Sequence, residues 1–222
     1  MVTERVRSYL PIITAELERG GYPFPPALIL SIIQAESGGD AEEVNEKSGA
    51  SGLMQLMPVA VRDYNQRNKT DYKMEDIRGA SEQAAIANIR IGLNLLGEFW
   101  RGAYRYLKRR IGAPPLDDLA QISQMFYVMG GSGAKKVLNT MSNPTFASVA
   151  KTWPNKSWVL YIKKIWRLTG DQNPVWNMDA IDRWVDPESI PDKPPLIAKT
   201  PRNGFLLAVL VIAVASAYLK KK

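Results

Sequence analysis

ALILSIIQAESGGDAEEVNEKSGASGLMQLM, residues 27–57, decides how the chain is read. One glutamate, Glu36, ends a run that is otherwise almost wholly apolar. Leu28, Ile29, Ile32 and Ile33 stand at helical spacing, and Glu36 follows Ile33 and Ile32 by three and four residues. That periodicity predicts a helix with Glu36 on its apolar face. A carboxyl held against hydrocarbon is desolvated, which favours its neutral form. A general acid working near neutral pH needs this. Sixteen residues on comes Gly52-Leu53-Met54-Gln55, a small, apolar and polar run suited to line a cleft beside such an acid.

The flanks of this stretch carry start and stop signals. Pro23, Pro25 and Pro26 sit where a helix begins and proline costs no hydrogen bond. Gly38-Gly39 supplies left-handed conformations for its end. Upstream, Val6, Leu10, Ile13 and Leu17 form one stripe of an N-terminal helix within residues 1–22, and Gly20-Gly21 closes it. Residues 40–51 read as a polar loop. Further helices are expected at about 53–67, 81–97, 98–110, 116–129, 133–140, 145–150 and 156–168, without a convincing strand. The fold class is mainly α.

The motifs then take on a family likeness. Glu36-Ser37 followed by Ala50-Ser51-Gly52-Leu53-Met54-Gln55-Leu56-Met57-Pro58 resembles the catalytic core of the soluble lytic transglycosylase (SLT) family, which has a goose-type lysozyme-like fold. Asn88-Ile89-Arg90-Ile91-Gly92-Leu93-Asn94-Leu95-Leu96 is similar to that family's Asn-Ile-x-x-Gly-x-x-Tyr-Leu helix. Tyr127 through Gly130 is similar to its Ala-Tyr-Asn-Ala-Gly element, and Tyr161-Ile162-Lys163-Lys164-Ile165 to its closing Tyr-Val-x-x-Ile. The likeness covers roughly residues 23–165, within a domain expected at 23–170. It implies that Glu36 is the catalytic acid. It also implies that Ser37, Met54, Gln55, Tyr127 and Tyr161 line the substrate cleft. The chain departs from the pattern at Val128 and Met129, and at Ser157-Trp158, where a Glu-Thr pair often stands.

Composition narrows the chemistry independently. The 222 residues include no cysteine and no histidine. That excludes disulfides, thiolate or imidazole metal sites, a Ser-His-Asp triad and a Cys-His pair. Acid–base work falls to carboxylates, lysines and tyrosines. A glycosidase usually pairs two carboxylates. Asp40, Glu42, Glu43 and Glu46 lie in the polar loop with no sign of desolvation, so none is nominated as a second acid. The resemblance accounts for this. In the family a single glutamate cleaves the bond between N-acetylmuramic acid (MurNAc) and N-acetylglucosamine (GlcNAc) and leaves a 1,6-anhydro end, without metal or cofactor. Formal net charge is +7, which attracts anionic polymers and lipids. The densest basic cluster, Arg101, Arg105, Lys108, Arg109 and Arg110, reads as a solvated helix face. No nucleic-acid motif accompanies it, and no nucleic-acid partner is expected.

The C-terminal part changes character. Residues 171–204 form an expected linker, with Pro187, Pro191, Pro194, Pro195 and Pro201 in its second half. Residues 205–219 are uncharged and apolar and are followed by Lys220, Lys221 and Lys222. We read them as a single transmembrane helix. As a helix from Gly204 to Leu219 it spans about 24 Å, short for a bilayer, with Arg202 and the lysines placed to snorkel.

Three functions are therefore in view. The first is a membrane-anchored peptidoglycan lytic transglycosylase, with glycan strands and a bilayer as partners. A cell-wall enzyme tethered by its C-terminus without a secretory signal suits a phage virion component that opens the wall locally, in a virion membrane or the host envelope. The second is a hydrolytic goose-type muramidase. The third is a catalytically inactive membrane-anchored structural protein on a lysozyme scaffold.

Overall fold

The computed structural model describes residues 1–185. The proline-rich run 186–204 and the apolar segment 205–219 lie outside these residues. Among the described residues, no helix is long and apolar enough to cross a membrane. The architecture is mainly helical: α1 (Glu4–Arg7), α2 (Leu10–Gly20), α3 (Pro26–Glu36), α4 (Pro58–Asn68), α5 (Glu82–Ile111), α6 (Leu116–Leu138), α7 (Phe146–Thr152), α8 (Ser157–Gly170) and α9 (Met178–Val185). A single 3₁₀ turn spans Met74–Ile77. The described chain divides into two units, residues 1–95 with 165–185, and Leu96–Lys164.

The first unit is built around α3. Pro26 opens it at the first helical turn, and Ser37 caps its C-terminus. Gly38 and Gly39 follow with φ of 64° and 87°. Every residue from Ala27 to Ile33 is buried. The helix is therefore wrapped on all sides, with no apolar face opposed to a wet one. The expected stripe was too narrow a reading of a helix that is apolar all round. Gln172 tethers α3, its amide donating to the Ser31 hydroxyl at 3.1 Å and to the Leu168 carbonyl at 2.8 Å.

The N-terminal segment is two helices rather than one. The chain breaks at Ser8 and Tyr9, and Pro11 lies in the first turn of α2. Val6, Ile13 and Leu17 keep their buried places on either side of it. Leu10, expected on the buried stripe, is exposed, whereas Glu16 is buried. Glu16 accepts from Arg90 Nε and Nη2 at 3.0 and 2.8 Å and from Arg19 Nε and Nη2 at 2.8 and 2.6 Å. A buried carboxylate is thus matched by two guanidinium groups, one from α2 and one from α5. Burial alone would raise its pKa, but the hydrogen bonds from Arg90 and Arg19 outweigh this and hold it below the ordinary value.

In the first unit α9 returns to the start of α3. Trp184 donates its indole N–H to the Gly21 carbonyl at 2.5 Å and packs on Tyr22 with ring centroids 4.9 Å apart. Sequence periodicity did not mark this eight-residue helix.

The second unit contains the kinked helix α6. Its helical dihedrals fail at Gly130 (φ 70°, ψ 156°), between the two shorter helices expected there. Asp118 near the start of α6 accepts from the backbone N–H of Phe146 at the start of α7, at 2.9 Å. At the other end, Tyr106 donates to Asn139 at 2.7 Å.

Candidate active site

Glu36 closes α3 and is half-buried. The structure assembles its surroundings from the loop that follows. The segment expected to begin a helix at residue 53 is instead a tight turn. Isolated bridges pair Val44 with Ser51 and Ser51 with Leu56, and α4 starts only at Pro58. Irregular backbone of this kind leaves N–H and C=O groups that need partners. Two polar side chains from outside the turn supply several of them.

The first is Ser37, next to Glu36 in the chain. It is buried, and its hydroxyl donates to the Leu53 carbonyl at 2.9 Å while accepting the Gly39 N–H at 3.1 Å. The residue after the candidate acid is therefore bonded directly to the turn sixteen residues away. The second is Asn88 on α5, which is fully buried. Its carbonyl oxygen accepts the Met54 N–H at 2.9 Å, and its amide nitrogen donates to the carbonyls of Ile77 at 2.9 Å and Ser51 at 3.2 Å. Gly52 is required here. It has φ of 74°, and a Cβ would lie 2.3 Å from Asn88 Nδ2 and 2.6 Å from the Ile77 oxygen.

The other expected site residues of this unit take defined places. Met54 is buried with its sulfur over Gly92 of α5. Gln55 is half-buried and left-handed, with φ of 47°. Its amide donates to the carbonyls of Glu43 at 3.1 Å and Gly52 at 3.0 Å, which ties the polar loop to the turn. A non-glycine residue held in this region stores on the order of 1 kcal/mol or more, and such strain collects at functional sites. Asp40, the acid nearest Glu36 in sequence, is paired with Arg5 at 3.1 Å.

Tyr127 and Tyr161 belong to the second unit. Tyr127, on α6, is buried and meets Phe99 edge-on with ring centroids 6.0 Å apart. Tyr161, on α8, is also buried. The structure thus bonds Ser37, the residue after Glu36, to the turn that carries Met54 and Gln55, and places the two tyrosines on helices of the other unit. Sequence reasoning quoted Asn88 as part of a motif but gave it no role. Asn88 interrupting the apolar residues 84–89 was the signal.

The two units differ electrostatically. Residues 1–95 carry ten lysines and arginines against thirteen acids, whereas residues 96–164 carry eleven against three. The positive balance therefore resides in the second unit. In its basic cluster, Arg105, Lys108, Arg109 and Arg110 are exposed, as a solvated face requires. Arg110 also donates to the Tyr106 hydroxyl and Asn139 at 3.0 Å each and to the Met141 carbonyl at 2.7 Å. Among the described residues no cluster of acids could hold a metal ion.

Residues 14–111 match the family model described as the transglycosylase SLT domain. The match contains Glu36, Ser37, the 51–56 turn, Asn88 and the Glu16–Arg90 pair, and it supports the lytic transglycosylase family. No curated protein matches the chain.

Proposed function

We propose that the chain is a peptidoglycan lytic transglycosylase that cleaves the β-1,4 bond from MurNAc to GlcNAc, with Glu36 as its acid and base. The observation that carries this is the Ser37–Leu53 bond, which fastens the Glu36 helix end to the Gly52–Gln55 turn inside the matched segment. In this reading Glu36 protonates the glycosidic oxygen as the bond to MurNAc C1 breaks, and the substrate's acetamido group assists. The same carboxylate then takes the proton from the muramyl 6-hydroxyl as that oxygen bonds to C1. A 1,6-anhydro ring closes and no water is consumed. In this reading Ser37, Met54 and Gln55 serve the glycan site beside Glu36, and the roles of Tyr127 and Tyr161 as substrate-binding residues rest on the family likeness alone.

Glu36→Gln is expected to lower turnover on purified peptidoglycan by at least about 10²–10⁴-fold while leaving the circular dichroism melt unchanged. Mass spectrometry of the wild-type products should find 1,6-anhydromuramic ends. Mainly reducing ends would replace the lyase by a muramidase. Over half the activity in the variant would remove Glu36 from the chemistry.

The proposal extends to residues 205–219 as a bilayer anchor, supported by fifteen uncharged residues ahead of three lysines. A tethered enzyme cuts only within reach of its tether, which suits local opening of a wall as a phage enters its host. The full chain should float with liposomes in high salt and a chain ending at Pro201 should not. Flotation of both would reject the anchor.

A further inference from the structure

Residues 1–13 precede the segment that matches the SLT domain, yet residues 2–9 hold the part of the chain that carries Glu36. Val2 and Val6 are both buried, Val6 completely. The Thr3 N–H donates to the Gln34 side-chain oxygen at 2.7 Å. The Tyr9 hydroxyl donates to the Gly39 carbonyl at 3.3 Å. Arg5 pairs with Asp40. Gly39 lies flush against this arm. A Cβ there would stand 2.9 Å from Val6 Cγ2 and 3.4 Å from the Val6 nitrogen. These contacts fall on residues 34, 39 and 40 and so bracket Glu36 on both sides. Their effect has a short route to the site: the Gly39 N–H bonds the Ser37 hydroxyl, and that hydroxyl bonds the Leu53 carbonyl.

We infer that residues 2–9 form a clasp that fixes the Glu36–Asp40 segment against the Leu53–Gln55 turn and so positions the Glu36 carboxylate. The inference rests on the transglycosylase reading for the role of Glu36, but not for the clasp itself. The exposed Arg5–Asp40 pair is its weakest part, since ion pairs of this kind are screened by water and salt. The packing of Val6 on Gly39 and the short Thr3–Gln34 hydrogen bond are its stronger parts, with the longer Tyr9 bond added to them. A clasp of this type acts on turnover. Misplacing a reacting group by about 1 Å can cost about 10²-fold in rate, while glycan binding along the rest of the cleft is retained.

The test compares the full chain with Val6→Ala, Tyr9→Phe and the double variant. The double variant should lose about tenfold or more in kcat on purified peptidoglycan, with KM within about twofold of wild type. Amide hydrogen exchange at residues 37–40 and 53–55 should quicken, with α6 unchanged. Wild-type kcat together with wild-type exchange at 37–40 in the double variant would overturn the clasp. So would exchange that quickens equally in α6, because the arm would then give only general stability. If the wild-type chain leaves peptidoglycan intact, the transglycosylase reading falls, and the exchange data still decide the clasp.

Discussion

Two buried amides, one in each unit, meet opposite fates. Asn88 is wholly enclosed and all three of its hydrogen bonds go to backbone groups of Ser51, Met54 and Ile77. Gln124, on α6, is equally enclosed, yet neither its amide oxygen nor its nitrogen has a hydrogen-bond partner among the described residues. The difference lies in the backbone around them. The 51–56 turn cannot satisfy its own N–H and C=O groups, so a side-chain amide placed there gains three partners. The backbone of a regular helix is already satisfied, so an amide buried on α6 finds few groups to bond. Burial of an amide stabilises only where irregular chain converges on it. Asn94 on α5 stands between the two cases, with its side-chain oxygen buried and without such a partner.

The largest effect on this contrast should come from Asn88→Ala. It strands two carbonyls and one N–H and opens a cavity, so a loss of about 4 kcal/mol is expected, at about 1–3 kcal/mol per buried group. Equilibrium urea unfolding measures it. A loss under about 1 kcal/mol would mean that water replaces the amide and that the turn holds itself.

Arg90→Met sharpens the comparison within the first unit, because it breaks a buried pair while keeping most of the packing. We expect a loss of about 3 kcal/mol near pH 7. The pH dependence follows from the lowered pKa of Glu16. Its contribution is complete above the ordinary glutamate value of about 4.3 and is lost as pH falls through the lower folded value. Wild type should therefore lose stability steeply below about pH 4, and Arg90→Met should show a shallower acid limb. Parallel acid limbs in pH-dependent melts would show that Arg19 alone holds the carboxylate.

The smallest effect, and the only gain, is expected from Gln124→Leu. Replacing an unbonded buried amide by hydrocarbon of similar size should stabilise the chain by about 1 kcal/mol. A loss would reveal an ordered water bonded to the amide.

Much of this arrangement could be read from local chemistry, and the exceptions share a cause. The ends of α3 follow from Pro25-Pro26 and Gly38-Gly39, whose backbone preferences need no tertiary context. The link between Glu36-Ser37 and Gly52–Gln55 followed from family likeness, while the bond that makes it, from Ser37 to Leu53, crosses a loop that no periodicity describes. Residues 53–57 carry a helix-like apolar run, but Gln55 is left-handed and Pro58 is where the helix can begin, so tertiary bridges overrode the pattern. The two helices expected at 81–97 and 98–110 are one, because Gly97-Glu98 lacks a proline to end a helix that its neighbours bury. Glu16 and Arg90 lie 74 residues apart. Nothing local to either announces the other, and Glu16 is inward simply because it shares a helix face with the buried Ile13, three residues before it.

Gln55 constrains what engineering or drift can do to this chain. A rule-guided search for thermostability would put glycine at a φ of 47°, where it relieves strain at once. That exchange would also delete the amide that bonds Glu43 and Gly52. Relief of about 1 kcal/mol of strain is then set against two lost hydrogen bonds of about 0.5–1.5 kcal/mol each, so the exchange gains no stability and loosens the loop. Position 55 is therefore held by its side chain rather than by its backbone preference, and the residue that best suits the dihedral angle forfeits the link between the polar loop and the turn.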